Sequence, residues 1–110
     1  PSHLVWLQVD HMAALKEFAE KGKVFCCHAK DTIVFPEILK KEGFYGLAKP
    51  WWHYKMPGKG VVDWKQFMTI LKNTGFKGAV QIEHEDPEYS GAKYQEGVEL
   101  GLKTLYDALK

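Results

Sequence analysis

The apolar run Gly78-Ala79-Val80-Gln81-Ile82 ends abruptly in Glu83-His84-Glu85-Asp86-Pro87, and a second apolar run, Val24-Phe25-Cys26-Cys27, ends in His28-Ala29-Lys30-Asp31. A carboxylate at the end of a buried strand is costly unless a cation or hydrogen-bond donors accompany it. An imidazole suits zinc, manganese and iron alike. Two strands that each hand a donor to their C-terminal end have the residue types to share one divalent cation. The plainer reading of His28 is a ring satisfied by a neighbouring backbone carbonyl. No carbonyl does the same for Glu83, because an ionised carboxylate only accepts.

Lys30 and Asp31 stand at the strand-to-loop junction, where they either contact substrate hydroxyls or phosphate or form a surface ion pair. Glu85 falls by two-residue alternation on the same side as Glu83, and His84 on the other. Bases and aromatics are interleaved in Trp51-Trp52-His53-Tyr54-Lys55-Met56-Pro57-Gly58-Lys59-Gly60. The three large rings Trp51, Trp52 and Tyr54 can stack on a sugar face, though packing the loop onto the body is the simpler role. Gly58-Lys59-Gly60 has the look of a phosphate-cradling turn, a weak signal when it stands alone.

The elements that must position these groups follow from spacing. Leu4-Val5-Trp6-Leu7 reads as a short strand. Asp10 reads as the N-cap of a helix that buries Met12, Leu15, Phe18 and Ala19 and stops at Gly22. A strand is expected at 24–28. Residues 32–60 form the longest irregular stretch, with a short helix expected at 33–41, and read as a lid or substrate wall. Asp63 caps a second helix lined by Trp64, Phe67, Ile70 and Leu71, which ends at Gly75. A strand at 78–83, a turn at 87–91 and a last helix carrying Tyr94, Val98, Leu102, Leu105 and Leu109 complete the chain.

This alternation predicts a parallel sheet with crossover helices. Val24, Cys26 and His28 would share one face with Ala79, Gln81 and Glu83. Phe25, Cys27, Val80 and Ile82 would face the helices. Polar groups at the tops of such strands occupy the catalytic end of a (β/α)8 barrel.

At 110 residues the chain is one domain's worth, 45% hydrophobic and 26% charged, with a formal charge of +1. That balance carries no polybasic or acidic field for nucleic acid or membrane. With no apolar stretch long enough to span a bilayer, a soluble cytoplasmic protein is expected. Cys26 and Cys27 are neighbours whose side chains point to opposite faces, so they read as reduced core thiols. Opening on Pro1 without Met, residues 1–110 read as a single partial domain of a longer protein.

On Pro1-Ser2-His3, His28-Ala29-Lys30-Asp31, Pro57-Gly58-Lys59-Gly60 with Asp63-Trp64, and Ile82-Glu83-His84-Glu85-Asp86-Pro87, the chain resembles the C-terminal part of a sugar phosphate isomerase/epimerase of the xylose isomerase-like TIM-barrel superfamily. The resemblance covers nearly the whole chain and implies the C-terminal portion of a (β/α)8 TIM barrel. It implies one divalent metal ion (Mn, Mg, Zn or Co) held by a Glu, an Asp, a His and a second Glu from successive strand ends. His28 would be that histidine and Glu83 the last carboxylate. The Asp would stand immediately ahead of Pro1 and the first Glu on an earlier strand.

By the same resemblance His3 would face a small-molecule carbohydrate substrate beside the metal, and His53 and Lys55 would contact its oxygens; Lys30, from its place at the strand-to-loop junction, is a further candidate substrate contact. The implied reaction is isomerisation or epimerisation of a sugar or sugar phosphate through α-proton transfer and an enediolate, with Glu83 as ligand and acid–base group. Lacking half of the ligand set, the fragment is expected to be inactive alone. An inosose dehydratase-type lyase shares the first step. An apurinic endonuclease-type enzyme would need Asp where Trp51 stands, and the charge lacks a DNA footprint. The non-catalytic alternative is a half-barrel assembly module that pairs with the missing N-terminal part of the barrel or with a second copy of the chain.

Overall fold

The structure is a computed structural model that describes residues 1–46 and 48–110. It is mixed α/β. Helix α1 (Ser2–Trp6) leads into α2 (His11–Glu20), then β1 (Cys26–Ala29), β2 (Asp31–Val34), α3 (Pro36–Glu42), β3 (Trp52–Lys55), α4 (Trp64–Asn73), β4 (Ala79–Ile82) and α5 (Tyr94–Leu109), with two 3₁₀ turns before α5. The expected strand at residues 4–7 is a helical turn instead. It packs against β2, where the Thr32 hydroxyl donates to the Ser2 carbonyl, and the helix places Ser2 and Val5, three positions apart, together on the buried side.

β1 and β4 pair in parallel, with Cys26 opposite Ala79 and His28 opposite Gln81. The Glu83 N–H continues the ladder to the Ala29 carbonyl at 3.3 Å. Cys27, Ala29, Val80 and Ile82 face the helices and join the core. Phe25 does not. Alternation starts only at Cys26, so Val24 packs against the core and Phe25 is 76% exposed. Cys26 lies exposed on the opposite face, leaving Cys27 as the one core thiol of the pair.

The helices supply the other layer. Asp10 caps α2 by accepting from the Met12 and Ala13 N–H groups, and Asp63 caps α4 by accepting from Gln66 N–H. In α4 the buried stripe is Trp64, Phe67, Met68 and Leu71. Met68 takes the place expected for Ile70, giving the i, i+3, i+4, i+7 pattern of a helix packed on a sheet. Burial of side chains the size of Phe67 and Leu71, each 2% exposed, contributes about 1.5–3 kcal/mol apiece.

In α2 the expected Phe18 is 53% exposed, while Ala19 is buried. The largest change is in α5. Tyr94, Leu102 and Leu109 are exposed, and the buried stripe is Gly97, Gly101 and Leu105. A Cβ on Gly101 would lie 3.1 Å from Ile82 Cδ1 and 3.2 Å from Met56 Cε, so the bare backbone lets α5 settle close against the sheet.

Residues 32–60 are more regular than the spacing suggests. β2 follows β1 after the single residue Lys30 and pairs antiparallel with β3, with Asp31 opposite Lys55 and Thr32 opposite Tyr54. Ile33 belongs to this strand, so α3 starts only at Pro36, where proline's fixed φ and missing N–H suit the first helical turn. No helix among the described residues is long and apolar enough to cross a membrane.

Candidate functional site

The parallel register sets the geometry. His28 Nδ1 lies 3.1 Å from Glu83 Oε2, so the two strand-end groups singled out by their residue types meet. Lys30, the residue between the two sheets, is 2% exposed, and its ammonium lies 3.0 Å from the same Glu83 oxygen and 3.3 Å from Glu85 Oε2. Tyr54 closes the other side, its ring centroid 4.0 Å from Lys30 Nζ. The Lys30 hydrogen bond is the main reason the Glu83 carboxyl is held below its ordinary value. His28 adds to that effect and burial opposes it.

His3 reaches the same place from α1. With Pro1, Ser2, Leu4, His28 and Glu83 it lines a cavity of about 200 Å³. Its ring lies 5.7 Å from Tyr54 and 6.0 Å from Trp6. Trp6 stacks on Trp52 at 4.9 Å with planes 6° apart, and Trp52 meets Tyr54 at 4.8 Å. These three rings form one cluster, and Trp52 and Tyr54 line, with Glu85, a second cleft of about 340 Å³. Trp6 carries no motif of its own, but its place three residues after His3 on one helix is the signal that joins them.

His53 and Lys55 occupy the alternate side of β3 from Trp52 and Tyr54. His53 packs edge-on against Phe35 at 5.6 Å. Lys55 binds Glu88 at 2.9 Å and Asp86 at 3.5 Å, and the Glu88 hydrogen bond is the main cause raising its affinity for the proton. Neither joins the His28–Glu83 pair. His84 points away from the pair, its ring stacked on Tyr94 at 4.4 Å.

Asp31 is neither a surface ion-pair member nor a substrate contact. It is fully buried and accepts from four groups: Thr32 N–H at 2.9 Å, Gly58 N–H at 3.0 Å, Val62 N–H at 3.0 Å and Trp64 Nε1–H at 2.8 Å. Asp86, also buried, accepts from Met56 N–H and Glu88 N–H at 3.0 Å each. These two carboxylates fasten the β2–β3 hairpin to the loops that flank it. Sequence spacing places Asp31 next to Lys30 without revealing that its side chain turns to the opposite side.

An imidazole nitrogen and a carboxylate oxygen suit a divalent cation. Metal–ligand bonds of about 2.0–2.2 Å, at angles between octahedral and tetrahedral, place adjacent ligands about 2.8–3.6 Å apart, and the observed 3.1 Å hydrogen-bond contact falls within that span. Among the described residues no group of three or more His, Cys, Asp or Glu side chains is arranged to hold a metal.

No protein-family model matches the chain. It is similar over its whole length to the uncharacterized protein YfiH of Bacillus subtilis, at 29% identity, covering 35% of that protein. It is 36% identical over 91 residues to an inosose isomerase of Halalkalibacterium halodurans, a match that takes in 83% of the chain and 28% of the relative. An inosose isomerase of Bacillus subtilis is 30% identical over 91% of the chain and 32% of its own length. The chain thus spans about a third of the length of the curated relatives it matches.

Proposed function

We propose that the chain is the C-terminal portion of a (β/α)8 barrel enzyme that isomerises or epimerises a polyhydroxylated carbonyl compound with the help of one divalent metal ion. The observation that carries this reading is the 3.1 Å approach of His28 to Glu83 at the tops of adjacent parallel strands. Similarity to two inosose isomerases supports the reaction class.

The open face supports the architecture. Cys26, His28, Ala79 and Gln81 are exposed on the side of the sheet away from the helices. Beside them runs an apolar groove of about 790 Å³ that includes Leu4, Leu15, Phe18, Phe25 and Cys26. A parallel sheet is normally covered on both faces, so the rest of a barrel would close over these residues.

In this reading His28 and Glu83 hold the ion, with the remaining ligands supplied by the longer protein. A bound divalent ion would polarise adjacent substrate oxygens and so acidify the neighbouring C–H. Glu83 would take and return that proton. Lys30 would donate to a substrate oxygen, and Glu85 keeps a carboxylate beside its ammonium while Glu83 serves the ion. His3, with the Tyr54 ring 5.7 Å away, would hold the substrate against them.

The test is made on the full-length protein. Metal analysis should find one divalent ion per chain in the wild type and markedly less in His28→Ala. Exchange of the substrate α-proton with deuterated solvent should vanish in Glu83→Gln. Undiminished exchange in that variant would remove Glu83 from the reaction.

A further inference from the structure

The second cleft, of about 340 Å³, shares a partition with the His28–Glu83 cavity. Its lining includes Phe44, Trp51, Trp52, Tyr54, Pro87 and Glu85. Glu83 belongs to the first cavity and Glu85 to the second, and both carboxylates hold the same buried ammonium, Lys30 Nζ, at 3.0 and 3.3 Å. The Tyr54 ring centroid lies 4.0 Å from that nitrogen, and 5.7 Å from the ring of His3, which lines the first cavity. One lysine and one ring therefore separate the two spaces, and two part-exposed carboxylates mark the rim between them.

The walls of the cleft are fixed by contacts within the chain. Trp52 is steadied by Trp6, stacked on it at 4.9 Å, and meets Tyr54 at 4.8 Å. Trp51 is buried, and its indole N–H donates to the Phe44 carbonyl at 3.1 Å. Rings already held in place lose little freedom when a ligand arrives. They offer flat apolar surface to the C–H face of a sugar or to another planar ring. Glu85 sets the polarity. Lys30 already meets its charge, so it calls for no cation, and its part-exposed carboxylate accepts from hydroxyls. An aromatic cleft with one convergent acceptor suits a ring that carries hydroxyl groups.

We propose that this cleft is a subsite for an appended ring, so that the ligand of the whole site is a keto sugar joined through a glycosidic oxygen to a second hydroxylated ring. The assignment rests on the isomerase reading above for which cavity reacts, and adds to it a group that does not react. The second ring is either another sugar or a phenol, which share a flat face with a hydroxyl at its edge.

The test is equilibrium binding to the full-length protein with manganese present, using ligands that have no ketone, so that binding is read without turnover. Calorimetry compares methyl β-D-glucoside, which has one ring, with methyl β-cellobioside and 4-hydroxyphenyl β-D-glucoside, which have two. A two-ring ligand should bind about tenfold more tightly than the methyl glucoside. A gain for the cellobioside marks a second sugar, and one for the phenyl glucoside marks a phenol. Trp52→Ala should bring that gain below about threefold, while Trp52→Phe, which keeps a ring, should retain most of it. Saturation-transfer NMR, which needs no variant, should show saturation passing from the protein to the protons of the second ring. Equal affinity for one-ring and two-ring ligands overturns the assignment, and so does an undiminished gain in folded Trp52→Ala. Either result leaves the isomerase reading standing, because that reading is decided by α-proton exchange.

Discussion

Lys30 Nζ lies 3.0 Å from Glu83 Oε2, on the same oxygen that the His28 ring approaches from the neighbouring strand. The lysine is almost fully buried while the carboxylate is part-exposed, so the pair joins the interior to the cavity. The folded-state proton affinity of Glu83 is depressed below its ordinary value of 4.5, chiefly by this hydrogen bond. A carboxyl lowered in this way stabilises the fold above its unfolded-state value, and that contribution disappears as pH falls through the lower folded-state value. Lys30→Met should therefore reduce the melting temperature more at neutral pH than well below pH 4.5. Thermal unfolding followed across that range checks it, and an equal loss at both ends would show that packing alone is at stake.

Glu83→Gln keeps the size of the side chain and removes its charge and its basicity. Loss of a positioned acid–base group costs about 10²–10⁴-fold in rate, and loss of a ligand adds to that. Full-length Glu83→Gln should fall by at least that factor in kcat with its far-ultraviolet circular dichroism unchanged. Residual turnover within tenfold of wild type would place the proton transfer elsewhere.

The meeting of His28 and Glu83 was legible in the sequence because parallel strands carry their donors in a two-residue period, and both apolar runs end at the same height. Helix caps at Asp10 and Asp63 were equally legible, being local chemistry. What escaped was decided by contacts remote in sequence. Tyr54 is placed under Lys30 by a hairpin whose register pairs it with Thr32, 22 residues back. Asp31 gathers donors from Gly58, Val62 and Trp64, none of which is near it in the chain. The stripe of α5 was misread because glycine has no apolar side chain to mark a buried face, and Gly97 and Gly101 are what the sheet touches.

Asp31→Ala should be among the most destabilising changes in the chain. It would strip the partner from three backbone N–H groups and the Trp64 indole. Each buried donor left unmade costs about 1–3 kcal/mol, offset in part wherever water or relaxation reaches it. A net loss of about 3 kcal/mol or more is expected from chemical denaturation. Asp31→Asn should recover little of it, because its amide NH₂ would face donors.

Gly60→Ala tests the same hub from the other side. The new Cβ would meet Asp31 Oδ1 at 2.2 Å and the Thr32 carbonyl at 2.4 Å, and neither neighbour is the free end of a flexible side chain. Overpacking of this kind costs about 1–3 kcal/mol. Because Asp31 supplies one of the two clashes, the substitutions share a contact and should not add. In a double-mutant cycle, Gly60→Ala should cost about 1 kcal/mol less in the Asp31→Ala background than in the wild type. The remainder belongs to the Thr32 carbonyl, which no change at Asp31 removes. Strict additivity would mean that the Asp31 side chain is not seated in the turn.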